Sequence, residues 1–259
     1  MTEQQLKAER FKALHVPGDP LVLFNIWDAG SAKAVAAANA QALATGSWAV
    51  AAALGMTDGE TVPLDLVIAN VARITAATAL PVSVDIESGY DDPAQTAART
   101  IEAGAIGCNV EDSFPADGTL RDVADQVDRL RSIRRAADAS GVDYFINART
   151  DVFFQPGAKT AGASMLELAM ERARAYADAG ADGIFVPGLT DMAMIAEFTS
   201  ASPLPVNIML SATSPAPAAF AQAGAARLSY GPAPYLLAMK ALEQAAQRVF
   251  DGRTAGGDG

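Results

Sequence analysis

Apolar residues along this chain fall into short unbroken runs, and the stretches between them repeat apolar positions every three or four residues. A run of about four to eight apolar residues closed by turn formers reads as a buried strand, and the wider spacing reads as an amphipathic helix. Strands are therefore expected at 21–28 (LVLFNIWD), 42–47 (ALATGS), 81–87 (PVSVDIE) and 106–112 (IGCNVED). Four more are expected at 143–150 (DYFINART), 183–188 (GIFVPG), 205–210 (PVNIML) and 226–231 (ARLSYG). Between them lie segments such as PAQTAARTIEAGA and MLELAMERARAYADAGA, rich in strong helix formers. Those two, and APAAFAQAGA, each close on Ala-Gly-Ala directly before a strand, where glycine signals a helix end.

Eight strands alternating with helices, without a break in composition, predict one α/β domain over residues 1–250, a parallel (β/α)8 barrel of the TIM type. An open doubly wound sheet is the competing arrangement. Residues 251–259 (DGRTAGGDG) are expected to form a disordered tail. Polar residues gather at the predicted strand ends: Asp28, Ser47, Asp85 with Glu87, Glu111 with Asp112, Arg149 with Asp151, Asn207 and Ser229. The strand starts are mostly Pro, Ala, Gly and apolar residues. Barrel enzymes build their sites at the C-terminal ends of the strands, so this asymmetry marks the candidate site.

Composition narrows the chemistry. The chain has 259 residues, 51% of them hydrophobic, which is ample for a packed core. Its formal net charge of −11 argues against nucleic acid and anionic membranes as partners. An acidic protein still binds an acidic substrate when a metal or a few placed cations reverse the local sign. Cys108 is the single cysteine, which leaves no intrachain disulfide and no multi-cysteine zinc site. The polar start, MTEQQLKAERFKALH, lacks the apolar stretch of a signal peptide, and a cytoplasmic location is expected.

Asp85 and Glu87 share the two-residue period of a strand, so both side chains are expected on one face, with Glu111 on the neighbouring strand. Buried carboxylates need partners or a metal. Three carboxylates with no histidine in reach suit a hard cation, Mg2+ or Mn2+. The plainer alternative is that one of them caps a helix. Arg149 is placed to hold a substrate carboxylate or phosphonate, or equally to form an ion pair with Asp151 or a site acid. The turn Gly46-Ser47-Trp48 offers backbone N–H groups to an oxyanion, and Asp58 follows in the turn MTDG. His15 is expected to be structural. Cys108 is out of phase with Glu111 and is expected to face the helices as a small hydrophobe.

The segments GSWAVAAALGMTDG, VDIESGYDD, GCNVEDS and INARTDVF, in this order and spacing, resemble the isocitrate lyase/phosphoenolpyruvate mutase superfamily over nearly the whole chain. The resemblance implies a (β/α)8 barrel whose last helix is often exchanged between subunits of a homodimer or homotetramer. It implies Mg2+ as cofactor and a small anionic 2-oxo acid or carboxylate as substrate. By the same resemblance Asp85, Glu87 and Glu111 are the metal-site acids and Asp58 stands beside metal and substrate. Gly46, Ser47 and Trp48 hold substrate oxygens, and Arg149 binds a carboxylate or phosphonate. Asn207 and Ser211 fall near a carboxylate-binding segment. Asp58, Ser47 and Arg149 are the expected catalytic groups.

One departure stands out. The isocitrate-type lyases carry a Cys-Gly-His loop after the acid of strand four, where this chain reads EDSFPADGTLRDVADQ, and the asparagine usual in the phosphonate enzymes is missing too. Loss of CO2 needs no cysteine acid. The expected activity is therefore Mg2+-dependent cleavage of a C–C bond in a small 2-oxo acid or related di- or tricarboxylate, through a metal-stabilised pyruvate enolate. A C–P bond enzyme would have to use Asp117 or Arg121 of the 113–122 loop. A 2-oxo acid binder without turnover is the third reading.

Overall fold

The computed structural model describes residues 1–157 and 162–256. Eight strands, β1 (Leu21–Leu23), β2 (Leu43–Ala44), β3 (Val82–Asp85), β4 (Gly107–Glu111), β5 (Phe145–Arg149), β6 (Gly183–Phe185), β7 (Val206–Met209) and β8 (Arg227–Ser229), form one sheet. Every neighbouring pair is parallel, in the order β1-β8-β7-β6-β5-β4-β3-β2. A single parallel bridge, Ile26 to Thr45, joins the two remaining edges and closes the barrel. The open-sheet alternative is thereby excluded.

The helices follow in the expected alternation. α1 (Glu3–Ala13) precedes the barrel and α2 (Ala29–Ala37) follows β1. The short α3 (Ser47–Ala53) and then α4 (Leu64–Ala76) follow β2. Next come α5 (Pro93–Glu102), α6 (Val123–Ser140), α7 (Gly162–Asp178), α8 (Met192–Ala201), α9 (Pro217–Gln222) and α10 (Ala233–Phe250). Among the described residues no helix is long and apolar enough to cross a membrane. Residues 257–259 of the expected tail lie outside the described residues; before them the chain turns back, and the Arg248 Nε donates to the Ala255 carbonyl at 3.0 Å.

The first two strands are shorter than their apolar runs. Beyond Leu23 a side chain takes over from the ladder: Asn25 donates through Nδ2 to the Thr45 carbonyl and accepts at Oδ1 from the Tyr230 and Gly231 N–H groups, both at 2.9 Å. Asp28 accepts the Ser31 N–H at 2.7 Å and caps α2, so it belongs to a helix start and not to the site. Gly46 stands at the N-cap of α3, with no side-chain cap, two residues after β2 ends.

The outer faces of the strands carry the apolar contacts with the helices, among them Val84, Val110, Ile146, Ile184, Ile208 and Leu228, all buried. Cys108 lies with them, and burial pushes its thiol up to about 12, which leaves it a packing residue. The barrel interior is polar instead. Asn147 Nδ2 and a terminal nitrogen of Arg227 both donate to Asn109 Oδ1, at 2.9 and 3.1 Å, and Ser229 Oγ donates to Asn207 Oδ1 at 3.2 Å. At the N-terminal end α1 closes the barrel with Phe11 and His15, whose imidazole stacks on Phe145 at 4.1 Å between ring centroids. Gly107 is required there, because a Cβ would lie 2.7 Å from the Phe145 carbonyl oxygen.

α10 departs from the packing of its neighbours. Pro234 is its only buried residue, while Leu237, Leu242 and Phe250 are 62%, 63% and 83% exposed. The outer surface of β1 is correspondingly bare: Val22 and Phe24 border a groove of about 680 Å³ shared with Leu14, Val16 and Val35.

The buried His15 generates a prediction. Burial and the nearby Arg227 charge lower its imidazole from 6.5 to about 3. Across that window the unfolded chain binds a proton that the folded chain refuses, so stability falls as pH falls from 6.5 towards 3. In urea titrations His15→Gln should show a shallower loss between pH 6 and pH 4 (roughly the middle of this window) than the parent protein. An unchanged slope would remove His15 from the acid response.

Candidate active site

Three strands deliver the charged residues to the C-terminal face by their ends: Asp85 closes β3, Glu111 closes β4 and Arg149 closes β5. A pocket of about 210 Å³ opens there, with Ser47, Asp58, Asp85 and Arg149 on its polar side. Asp85 is anchored from the backbone. Its Oδ2 accepts the Ser47 N–H at 3.3 Å, its Oδ1 accepts the Glu87 N–H at 3.2 Å, and its own N–H donates to Thr45 Oγ1 at 2.9 Å. Burial and the neighbouring Asp85 charge raise the Asp58 carboxyl above its ordinary range, opposed by a hydrogen bond from Ser47.

Glu87 takes a different direction from the one its spacing predicts. The strand ends at Asp85, and Glu87 adopts a left-handed backbone with φ of 54°. The two-residue period therefore stops before reaching it. Its carboxylate accepts the N–H groups of Gly59, at 2.8 Å, and Glu60, and the Tyr90 hydroxyl at 3.3 Å. Burial, with Asp58 and Asp85 nearby, raises it to about 7. Glu60 returns the contact, accepting from Ser88 N and Oγ at 3.1 and 2.7 Å and from Tyr90 N at 2.8 Å. Glu60 and Tyr90 also have φ of 58°, and such strained backbone persists only where surrounding bonds fix it. The reciprocal latch fixes the turn that carries Asp58.

Glu111 and Arg149 form the second half of the site. Arg149 Nη1 meets Glu111 Oε2 at 2.8 Å, while its Nε and Nη2 grip both Asp151 oxygens at 2.6 and 2.9 Å. Burial pushes Glu111 up and Arg149 opposes it; the two carboxylates keep Arg149 charged. Ser113 Oγ bridges Glu111 and Asp151 at 2.8 and 3.0 Å. Behind them Asp112 accepts the Asp151 N–H, Arg172 Nη1 and the Tyr176 hydroxyl, each within 2.9 Å. Arg149 thus forms the expected ion pairs and also lines the pocket.

Asn207 lies beneath the pocket, not on its wall, and Ser211 sits in an exposed turn with Thr213 and Ser214. Met209, two residues after Asn207, lines the pocket instead. The segment after β4 folds into a closed turn: Ser113 bridges Leu120, and Phe114 N donates to the Thr119 carbonyl at 2.8 Å. Asp117 caps that turn through Thr119, and Arg121 stacks over Phe114 at 4.1 Å while pairing with Asp125. Neither side chain lines the pocket.

Among the described residues no three carboxylate, histidine or cysteine side chains converge as a metal cage. Asp85 and Asp58 share the pocket, whereas Glu87 is spent on backbone N–H groups and Glu111 on Arg149. This all-oxygen set fits a hydrated hard cation gripped directly by one or two carboxylates, the habit of Mg2+. Burial is the main cause that raises the Asp58 and Glu87 carboxyls, and the acid–acid repulsion that adds to it is what such a cation would relieve.

Strand-end acids, a buried arginine and a small pocket at the C-terminal face are the parts from which (β/α)8 barrel enzymes build their active sites. The family model described as phosphoenolpyruvate phosphomutase matches residues 11–250, and the chain belongs to that family, part of the isocitrate lyase/phosphoenolpyruvate mutase superfamily. It is similar to a crystal structure of an inferred phosphonomutase from Burkholderia cenocepacia J2315, with 55% identity and a TM-score of 0.91 over 96% of this chain and 99% of that one. It is 32% identical to 2-methylisocitrate lyase of Escherichia coli (strain K12), over 76% of this chain and 67% of that protein. It is also 32% identical to oxaloacetate decarboxylase of Rhodopseudomonas palustris (strain TIE-1), over 63% of this chain and 56% of that protein.

Sequence reasoning missed Glu60, Tyr90 and Asn25. Their partners lie in loops distant along the chain, and the one local signal was the acid directly after the turn glycine Gly59. Glu60→Ala leaves three part-buried donors without their acceptor and should cost about 1–3 kcal/mol, read from urea midpoints. It should also weaken oxalate binding, because the Asp58 turn loses its anchor; full affinity in a destabilised variant would limit Glu60 to a structural role.

Proposed function

We propose that the protein is a Mg2+-dependent lyase that cleaves a C–C bond of a small 2-oxo acid or related dicarboxylate, with Mn2+ as an alternative ion. The observation that carries this reading is the pocket itself: Asp85 and Asp58 face one side of it, and nothing from the 113–122 loop reaches it. Bound Mg2+ would supply Lewis-acid stabilisation to negative charge developing on substrate oxygens. The chain's own residues do the rest. The Trp48 N–H, in the first turn of α3, has no intrahelical acceptor and orients an oxygen of the substrate, while the Ser47 N–H holds Asp85 beside it. Asp58, in the turn that the Glu87–Glu60 latch fixes, is the pocket acid assigned to proton delivery at C3. Arg149 fixes Glu111 and Asp151.

Departing CO2 takes no proton, so a site without a cysteine or histidine acid suits decarboxylation or a related C–C scission. A phosphonate enzyme would need a donor from the 113–122 loop, and the placement of Asp117 and Arg121 favours the C–C reading. The relatives named as 2-methylisocitrate lyase and oxaloacetate decarboxylase support it.

The proposed assembly is a homodimer or homotetramer in which α10 crosses to a neighbouring copy and its leucines cover the bare face of β1. The apolar exposure of α10 and the groove beside Val22 and Phe24 support this exchange.

Pyruvate-type product should appear from one of oxaloacetate, 2-methylisocitrate or 2,3-dimethylmalate with Mg2+ and vanish with EDTA; release from phosphonopyruvate alone would overturn the C–C assignment. Asp85→Ala should abolish Mg2+-dependent oxalate binding while the thermal transition persists. For the assembly, Leu242→Glu should shift the mass by light scattering towards the monomer, and an unchanged mass would refute helix exchange.

A further inference from the structure

Part of the pocket wall is apolar, and the Arg149 guanidinium stands 5.9 and 6.0 Å from two of its ring centres, Phe154 and Phe185. Trp48, Phe154, Phe185, Met209 and Pro232 line that part, and Trp48 and Phe154 are 39% and 50% exposed at the mouth. A substrate with a second anionic group beyond C3 would need a cation or spare donors on this side. Arg149 is the only Lys or Arg among the described residues that line the pocket, and Glu111 and Asp151 already balance its charge. Two of the neutral polar groups are committed as well. Asn25 spends its amide on Thr45, Tyr230 and Gly231, and Ser229 donates to Asn207. A carboxylate desolvated against aromatic rings and a thioether, without a counter-charge, is strongly disfavoured. An alkyl or aryl group in the same place gains from its burial.

We infer that the site selects a 2-oxo acid bearing an uncharged alkyl or aryl branch at C3, in place of the carboxymethyl group of a tricarboxylate-type substrate. This inference rests on the 2-oxo acid reading above and assigns specificity to Phe154, Phe185 and Met209. One end of the ligand meets the acid-and-amide side, and its branch lies along the three side chains.

Calorimetric titration of the full-length protein, saturated with Mg2+, tests this without requiring turnover. The ligands are pyruvate, 2-oxobutyrate, 2-oxopentanoate, 2-oxohexanoate, phenylpyruvate and 2-oxoglutarate. Each added methylene should tighten binding about four-fold while it remains on the wall. 2-Oxoglutarate, which replaces the alkyl end of 2-oxohexanoate by a carboxylate, should bind at least about ten-fold more weakly than that acid. Phe154→Arg, a change at a half-exposed position, should narrow or reverse that ratio. Equal or tighter binding of 2-oxoglutarate by the parent protein would overturn the inference and leave the 2-oxo acid reading standing. Absence of Mg2+-dependent binding for every acid in the series would overturn the reading itself, and the inference with it.

Discussion

Everything at the C-terminal face depends on how one guanidinium is shared. Arg149 stands between Glu111 and Asp151, and through Asp151 it joins Asp112, Arg172 and Tyr176. Carboxylates brought this close in a barrel mouth repel one another, and burial makes each of them costly. The single arginine, with the backbone donors around Asp85 and Glu87, holds that cluster together. It also divides labour among the acids. Glu111 and Asp151 are tied to Arg149 and Glu87 to the 59–60 backbone, which leaves Asp85 and Asp58 as the carboxylates that share the pocket.

The fold was legible because a (β/α)8 barrel repeats its signal. Apolar runs, Ala-rich helices and Ala-Gly-Ala endings recur along the chain, and all eight strands fall inside their expected segments. Asp85, Glu111 and Arg149 were legible for a related reason: a charge that ends an apolar run is a local event, and in a barrel that end has a known address. Glu87 shows where such reasoning stops. Strand periodicity carries a prediction only while the backbone stays extended, and the left-handed turn at Glu87 breaks it two residues beyond Asp85. The Glu60–Ser88–Tyr90 latch and the Asn25 stitch were invisible because each pairs residues from separate loops. The polar interior around Asn109, Asn147 and Arg227 was hidden too, since strand composition does not say which face will be filled by amides.

The lack of a cysteine loop after β4 gains a physical meaning from the structure. The segment at the place of the lyases' Cys-Gly-His loop is here a closed turn, tied by Phe114 to Thr119 and by Asp117 to Thr119. It is tied outward as well: Gln155 Nε2 donates to the Gly118 carbonyl and Arg172 Nη2 to the Arg121 carbonyl, both at 2.9 Å. On the specificity proposed above, selectivity passes to the walls, where Phe185 and Met209 are set by strands.

Tyr235 stands at the root of α10, and its ring meets Trp27 and Trp48 at 5.1 and 6.0 Å between centroids. Trp48 is also part of the pocket mouth. α10 is thus continuous, through these rings, with the rim of the cavity. On the proposed exchange of this helix, self-association and ligand affinity would be linked equilibria, and dilution that releases the helix would loosen one side of the pocket.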